Sequence, residues 1–273
     1  MPMRLPTGTA ESAGVTWIFL RGLTRETAHW GRFPDDFCQA LPAASVISLD
    51  LPGNGQLHQV ASVLSIGAMM NFCRIELARR EIKPPYFLLA MSLGAMVAAE
   101  WSCQAPQEVA GCVLINTSFN AFSPFYRRLR PRNYALLLRL ALLRRTPADM
   151  EKAILKLTSN RVTERENVIA GWVEARLQRP VSALNALGQL MSALRYRARP
   201  APPAVALLIL CSESDRLVHF ECSLAIASHW NCPLALHPSA GHDLPLDDPD
   251  WVIEQVRRWL DARPERHPLE SRN

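Results

Sequence analysis

The feature that most constrains this 273-residue sequence is a series of six short, unbroken apolar runs separated by longer segments. They are VTWIFL (15–20), ASVISLD (44–50), YFLLA (86–90), GCVLIN (111–116), VALLIL (205–210) and PLALH (233–237). A strand with one wet face alternates apolar and polar side chains. These runs do not alternate, as expected of parallel strands covered by helices on both faces. Helix patterns fall between most of them, such as IGAMMNFCRIELARREI (66–82), and another appears in DPDWVIEQVRRWLDA near the carboxyl end. The alternation predicts an α/β fold with a mostly parallel, doubly wound sheet of six strands.

The regularity breaks between Thr117 and Pro203, where no strand pattern occurs. Four helices are expected there. The first lies near 131–145. The second has Thr146 as N-cap and Pro147 at the first helical position. The third starts with Thr163 and Glu166 as a capping box. The fourth spans 181–196. The chain therefore divides into a core of residues 1–116 and 204–273 and a helical insertion of residues 117–203, placed after the fourth core strand.

Composition removes several classes of function. A formal net charge of +5 is too small to imply nucleic acid. No run approaches the ~18 apolar residues of a membrane span, and YALLLRLALL is interrupted by Arg139. The stretch MPMRLPTGTAESAG lacks the apolar centre of a secretory leader. Seven cysteines without a C-x-x-C pair suggest reduced thiols in a cytoplasmic protein. No ligand spacing supports a metal, and no cofactor is expected.

The third run leads into YFLLAMSLGAMVAAEW (86–101), which places Ser92 between a strand and a helix. Such a serine either caps the helix or is a nucleophile raised on a sharp turn. A turn that tight needs small residues two positions before and after, here Ala90 and Gly94. A serine hydroxyl also needs a base, and the base needs a buried acid to orient it. CSESDRLV puts Asp215 in the turn after the fifth run, and GHDLPLDDP puts His242 after the sixth. The order Ser92, Asp215, His242, each at a strand end, favours the nucleophile.

With those residues in place, the sequence resembles the α/β-hydrolase superfamily. FLRGLTRETAHWGRF resembles its oxyanion strand and loop, LDLPGNGQ its Asp-x-Pro-Gly-His-Gly turn, and LLAMSLGAMVA its nucleophile elbow. SESDRLV and AGHDLPLDDP resemble its acid and histidine loops, and the insertion falls where the superfamily carries a helical cap. The resemblance implies Ser92, Asp215 and His242 as catalytic residues, with the backbone N–H groups of Leu23 and Leu93 as the oxyanion hole.

The sequence departs from that pattern. Arg21 replaces the usual histidine before Gly22, and either helps an anionic substrate or shapes the loop by bonding backbone carbonyls. Asn54 replaces a histidine and is read as structural. His29, in ETAHW, is a second candidate substrate contact, beside a packing role. Few residues precede Val15 in this sequence, so the superfamily's leading hairpin would scarcely fit and a trimmed sheet of about six strands is expected.

No acidic residue occurs from Val109 to Ala148, whereas Arg127, Arg128, Arg130, Arg132, Arg139, Arg144 and Arg145 do. This basic segment either roofs an apolar acyl pocket, docks an acidic partner such as an acyl carrier protein, or rests on an anionic membrane. The organisation also resembles a carrier-protein methyl esterase of biotin synthesis. The expected function is hydrolysis of small carboxylic esters or thioesters. A fold kept for binding after loss of chemistry is the alternative, as is a methyl esterase directed to a carrier protein.

Overall fold

A computed structural model describes residues 14–142, 146–161 and 165–263. Six strands form one sheet: β1 (Val15–Leu20), β2 (Ala44–Leu49), β3 (Tyr86–Met91), β4 (Val109–Ile115), β5 (Leu207–Ser212) and β6 (Leu234–His237). Their order is β2-β1-β3-β4-β5-β6 and every neighbouring pair is parallel. The order turns back once, at β1 and β3, so the carboxyl ends of these two strands flank the switch point where open α/β sheets bind ligands.

The four inner strands β1, β3, β4 and β5 are largely buried on both faces, which is why their apolar runs are unbroken, whereas the edge strands β2 and β6 are partly exposed. Ile18, Leu20, Leu88, Ala90, Leu114 and Ile209 face one core. There they meet α2 (Ile66–Arg79), α3 (Leu93–Gln104) and α9 (Glu221–Trp230). Trp17, Phe19, Leu89, Met91, Val113 and Leu210 face the other, against α1 (Phe33–Ala40) and α11 (Pro249–Asp261). Successive residues alternate between the two cores, as the pleat requires.

Only helices connect β4 to β5 among the described residues: α4 (Phe125–Arg128), α5 (Tyr134–Leu142), α6 (Pro147–Thr158), α7 (Arg165–Gln178) and α8 (Ala183–Arg195). A short α10 (Leu244–Asp247) follows β6. The Thr146 side chain caps α6 by accepting from the Asp149 N–H at 3.1 Å, and Pro147 holds the first helical position. The helix expected over 131–145 is α5, which starts after Asn133; residues 143–145 and the capping threonine 163 lie outside the described residues. No helix among the described residues is long and apolar enough to cross a membrane.

One buried carboxylate joins the insertion to the core. Glu151 on α6 accepts from Arg25 Nη1 at 2.7 Å and Arg176 Nε at 2.5 Å, with its side chain 1% exposed. Arg25 also lies over the Trp172 ring, 4.1 Å from its centroid. Two guanidinium charges here depend on one carboxylate. Breaking a buried pair leaves an uncompensated charge and costs about 3–5 kcal/mol. Glu151→Gln should lower unfolding free energy by that amount, read as a lower urea midpoint; an unchanged midpoint would mean that the cations find other partners.

Candidate active site

The site grows from the turn between β3 and α3. Ser92 sits there with φ 53° and ψ −116°, a conformation that an L side chain adopts only under constraint. Both sides of its backbone are held. Its N–H donates to the Ile115 carbonyl at 3.0 Å, and its carbonyl accepts from Thr117 Oγ1 at 2.9 Å. Gly94 is needed because a Cβ there would lie 2.5 Å from the Leu20 and Arg21 carbonyl oxygens. The α3 helix can therefore start directly against the end of β1. On the opposite side, a Cβ on Gly22 would come within 3.1 Å of the Ser92 Cβ. The Arg21–Leu23 segment thus passes beside the serine hydroxyl.

The acid and histidine loops meet next to this turn. His242 Nδ1 lies 2.7 Å from Asp215 Oδ2, and both residues are buried. The other carboxylate oxygen, Asp215 Oδ1, accepts from the Leu217 and Val218 N–H groups at 2.7 and 3.0 Å. The carboxylate can only accept, so Nδ1 carries the proton and Nε2 keeps its lone pair in the neutral ring. Burial is the strongest single influence on His242 and lowers its pKa. The charge and hydrogen bond of Asp215, with the charge of Asp243, outweigh it, and the net shift is upward from 6.5.

The serine and the histidine share an anchor that the sequence did not reveal. Asn116, one residue beyond β4, has φ 45° and donates through Nδ2 to the His242 carbonyl at 2.8 Å. Its Oδ1 accepts from the Ser212 N–H at 2.9 Å. Residues 115–117 therefore hold Ser92 from one side and the His242 loop from the other. Among the described residues the Ser92 hydroxyl forms no hydrogen bond. Catalytic hydrogen bonds are often open before substrate binds.

Arg21 does not shape its loop through backbone carbonyls, one of the two roles the sequence offered. Its guanidinium makes a two-pronged bond to Asp243, at 3.0 and 2.6 Å, with both side chains 3% exposed. The ring of Trp30 lies 4.7 Å below its Cζ. This geometry suits the planar fork of arginine. It fastens the loop after β1 to the residue next to His242. The signal was present in GHDLP, but nothing in it said which cation Asp243 would meet.

His29, the other candidate substrate contact, is directed into its own loop. Nε2 is 2.8 Å from Arg25 Nη1, and a guanidinium can only donate. A neutral ring then carries its proton on Nδ1, which lies 3.2 Å from the Glu26 carbonyl and 3.0 Å from the Glu26 N–H. Burial, followed by the charges of Arg25 and Arg21, pushes the His29 pKa far below its ordinary value. The ring is neutral and both nitrogens are occupied.

The insertion grips this site at two points. Gln189 on α8 accepts from the Thr24 N–H at 2.8 Å, and donates to Asn54 Oδ1 at 2.8 Å and the Pro52 carbonyl at 3.2 Å. Thr24 has φ 56°, costly for a β-branched residue, so this bond supports a strained loop. Asn54 donates in turn to the Arg25 carbonyl at 2.8 Å, the structural role expected of it. At the far side the Asp243 N–H donates to the Thr158 carbonyl at 2.7 Å. The N–H groups of Leu23 and Leu93 donate to no acceptor among the described residues.

The basic run of the insertion is divided among different tasks. Arg127 pairs with Glu221 at 2.7 Å, and Arg128 is buried, donating to the Ala193 carbonyl at 2.6 Å. Arg139 is exposed, and residues 144 and 145 lie outside the described residues.

Comparison with known proteins agrees with the fold. A model of the alpha/beta hydrolase family matches residues 17–255. The chain is 25% identical over 193 residues to the alpha/beta hydrolase domain-containing protein VTE7 of Arabidopsis thaliana, covering 66% of this chain and 55% of that one. It is 23% identical over 114 residues to protein YqjL of Bacillus subtilis (strain 168), covering 42% and 44%. The chain thus spans about half the length of these curated relatives. Rv0554 of Mycobacterium tuberculosis superposes with a TM-score of 0.74 at 19% identity, over 92% of this chain and 91% of that one. A thermophilic esterase from Thermogutta terrifontis superposes with a TM-score of 0.71 at 20% identity, over 91% and 90%. At such identities the solved structures share the fold.

Proposed function

The chain belongs to the alpha/beta hydrolase family, and from that premise we propose that it is a serine hydrolase of carboxylic esters or thioesters. The observation that carries this reading is the buried 2.7 Å bond between His242 and Asp215, tied through Asn116 to the strained turn of Ser92. A histidine oriented by a buried carboxylate beside a constrained serine is what nucleophilic catalysis by a hydroxyl requires. Its place at the sheet's switch point supports the same conclusion.

In this reading Ser92 Oγ attacks the acyl carbonyl carbon while His242 Nε2 takes the hydroxyl proton. The oxyanion that forms accepts from the Leu23 and Leu93 N–H groups. Two fixed donors are worth most where charge appears only in the transition state, and losing one typically costs about 3–4 kcal/mol of barrier. The intermediate collapses as His242 gives its proton to the departing alkoxide or thiolate, leaving Ser92 acylated. Water, deprotonated by His242, then attacks the acyl carbon, and the acid leaves as Oγ recovers the proton. Asp215 keeps the Nδ1 proton throughout. Arg21 acts through Asp243 as a positioning residue, holding the oxyanion loop against the histidine loop.

A fluorophosphonate probe tests the assignment directly. The intact protein should become labelled, with the adduct on the peptide that contains Ser92. Folded protein that takes up no label, or carries it elsewhere, would remove Ser92 as nucleophile and favour a binding role.

The raised pKa of His242 sets a pH dependence. The base must be neutral, so kcat/KM should fall as pH drops through its folded pKa, above 6.5. The acid limb should therefore have its midpoint above the ordinary histidine value. A midpoint near 5 would mean that burial wins over Asp215.

A further inference from the structure

Behind the acid loop lies an open groove of about 440 Å³ lined by Arg130, Arg132, Asn160, Ser214, Arg216 and Ser239. It faces away from the catalytic pair, because Asp215 between Ser214 and Arg216 turns its carboxylate to His242. Two of its arginines come from the insertion and one from the core. No carboxylate lies within ion-pair distance of any of the three among the described residues, unlike Arg25, Arg127, Arg176 and Arg179 nearby. Arg132 Nη2 and Arg216 Nη1 make only long bonds, each 3.4 Å, to backbone carbonyls. Arg130 Nε is buried without a partner.

Arg132 and Arg216 are exposed at the groove, and Arg130 is partly buried. Burial and then the charge of Arg132 depress the Arg130 pKa, and the carboxylate that opposes this is Asp215, already bonded to His242. Hydrogen bonds join the two segments that carry these arginines. The Arg130 N–H donates to the Leu217 carbonyl at 3.0 Å, and Asn133 Nδ2 donates to the Arg216 carbonyl at 2.7 Å. Asn160 fixes the floor by donating to the Ser214 and Ser239 carbonyls at 3.1 and 2.9 Å. Its Oδ1 is buried without a partner among the described residues.

We propose that this groove is a binding site for a tetrahedral oxyanion, an inorganic phosphate or the terminal phosphate of a monoester, held by Arg130, Arg132 and Arg216. Three cations lining one groove match a dianion, and guanidinium forks match the oxygens of phosphate. The site stands apart from the Ser92 chemistry and does not depend on it.

Calorimetric titration tests this with two ligands, inorganic phosphate and methyl phosphate, at ionic strength held constant with sodium chloride. The wild type should give a saturable heat with one or both. Arg130→Gln/Arg216→Gln, checked for an unchanged circular dichroism spectrum, should bind at least about tenfold more weakly, since two of the three cations are removed. The single exposed variant Arg132→Gln provides the same comparison if the double variant does not fold. Preference for inorganic phosphate assigns a free ion; equal or tighter binding of methyl phosphate assigns a phosphate carried on a larger molecule. No saturable heat with either ligand, or equal affinity in wild type and variants, would overturn the proposal.

Discussion

Replacing Ser92 with alanine should lower kcat on short acyl esters by about 10⁶-fold, the scale on which triad serines act. That is roughly 8 kcal/mol of barrier at 1.36 kcal/mol per decade. The loss is large because the acyl-enzyme route closes completely, and His242 and the oxyanion donors are left to assist water alone. Little stability should be lost with it. The Ser92 hydroxyl forms no hydrogen bond among the described residues, and the turn is held through backbone groups that alanine keeps. Turnover of p-nitrophenyl acetate and the urea midpoint, measured together, separate the two effects. Turnover within tenfold of wild type would place the nucleophile elsewhere.

The second large effect is expected from Asp215→Asn, which should lower kcat by about 10⁴-fold. The carboxylate's surroundings decide how the amide must sit. Its Oδ1 accepts from two backbone N–H groups, at 2.7 and 3.0 Å. An asparagine would keep its oxygen there and turn its NH₂ toward His242 Nδ1. That nitrogen must then accept, so the ring proton moves to Nε2, where Ser92 needs a lone pair. The acid limb of the pH profile should also move down, because Asp215 is what raises the His242 pKa against burial. Unchanged turnover and an unchanged acid limb would point to another acid.

Both variants act on residues that could be read in the sequence, because each belongs to a local pattern. A serine between an apolar run and small residues, an acid after a strand, and a histidine after the last strand are legible without knowing where the chain goes next. The six strands were legible for a similar reason. Burial on two faces leaves an unbroken apolar run in the four inner strands, the partly exposed edge strands β2 and β6 are nearly as apolar, and the observed strands differ from the runs by no more than two residues at either end. Arg21 and His29 were less tractable. Their residue type suggested contact with substrate, yet one is bonded to Asp243 and the other to Arg25. Polar side chains take whichever partner the fold delivers, and those partners are 222 and 4 residues away.

The sequence by itself determined the layering of this protein, because the period and continuity of apolar residues say which faces are dry before any long-range contact forms. It also determined the order of the candidate nucleophile, acid and base along the chain. Tertiary structure alone decided what holds them. Asn116 reaches His242, Gln189 reaches Thr24, and Glu151 gathers Arg25 and Arg176. Hydrogen bonds and ion pairs act over about 3 Å and depend on direction, so they leave no periodic trace in the sequence. They exist only where folding brings distant donors and acceptors face to face.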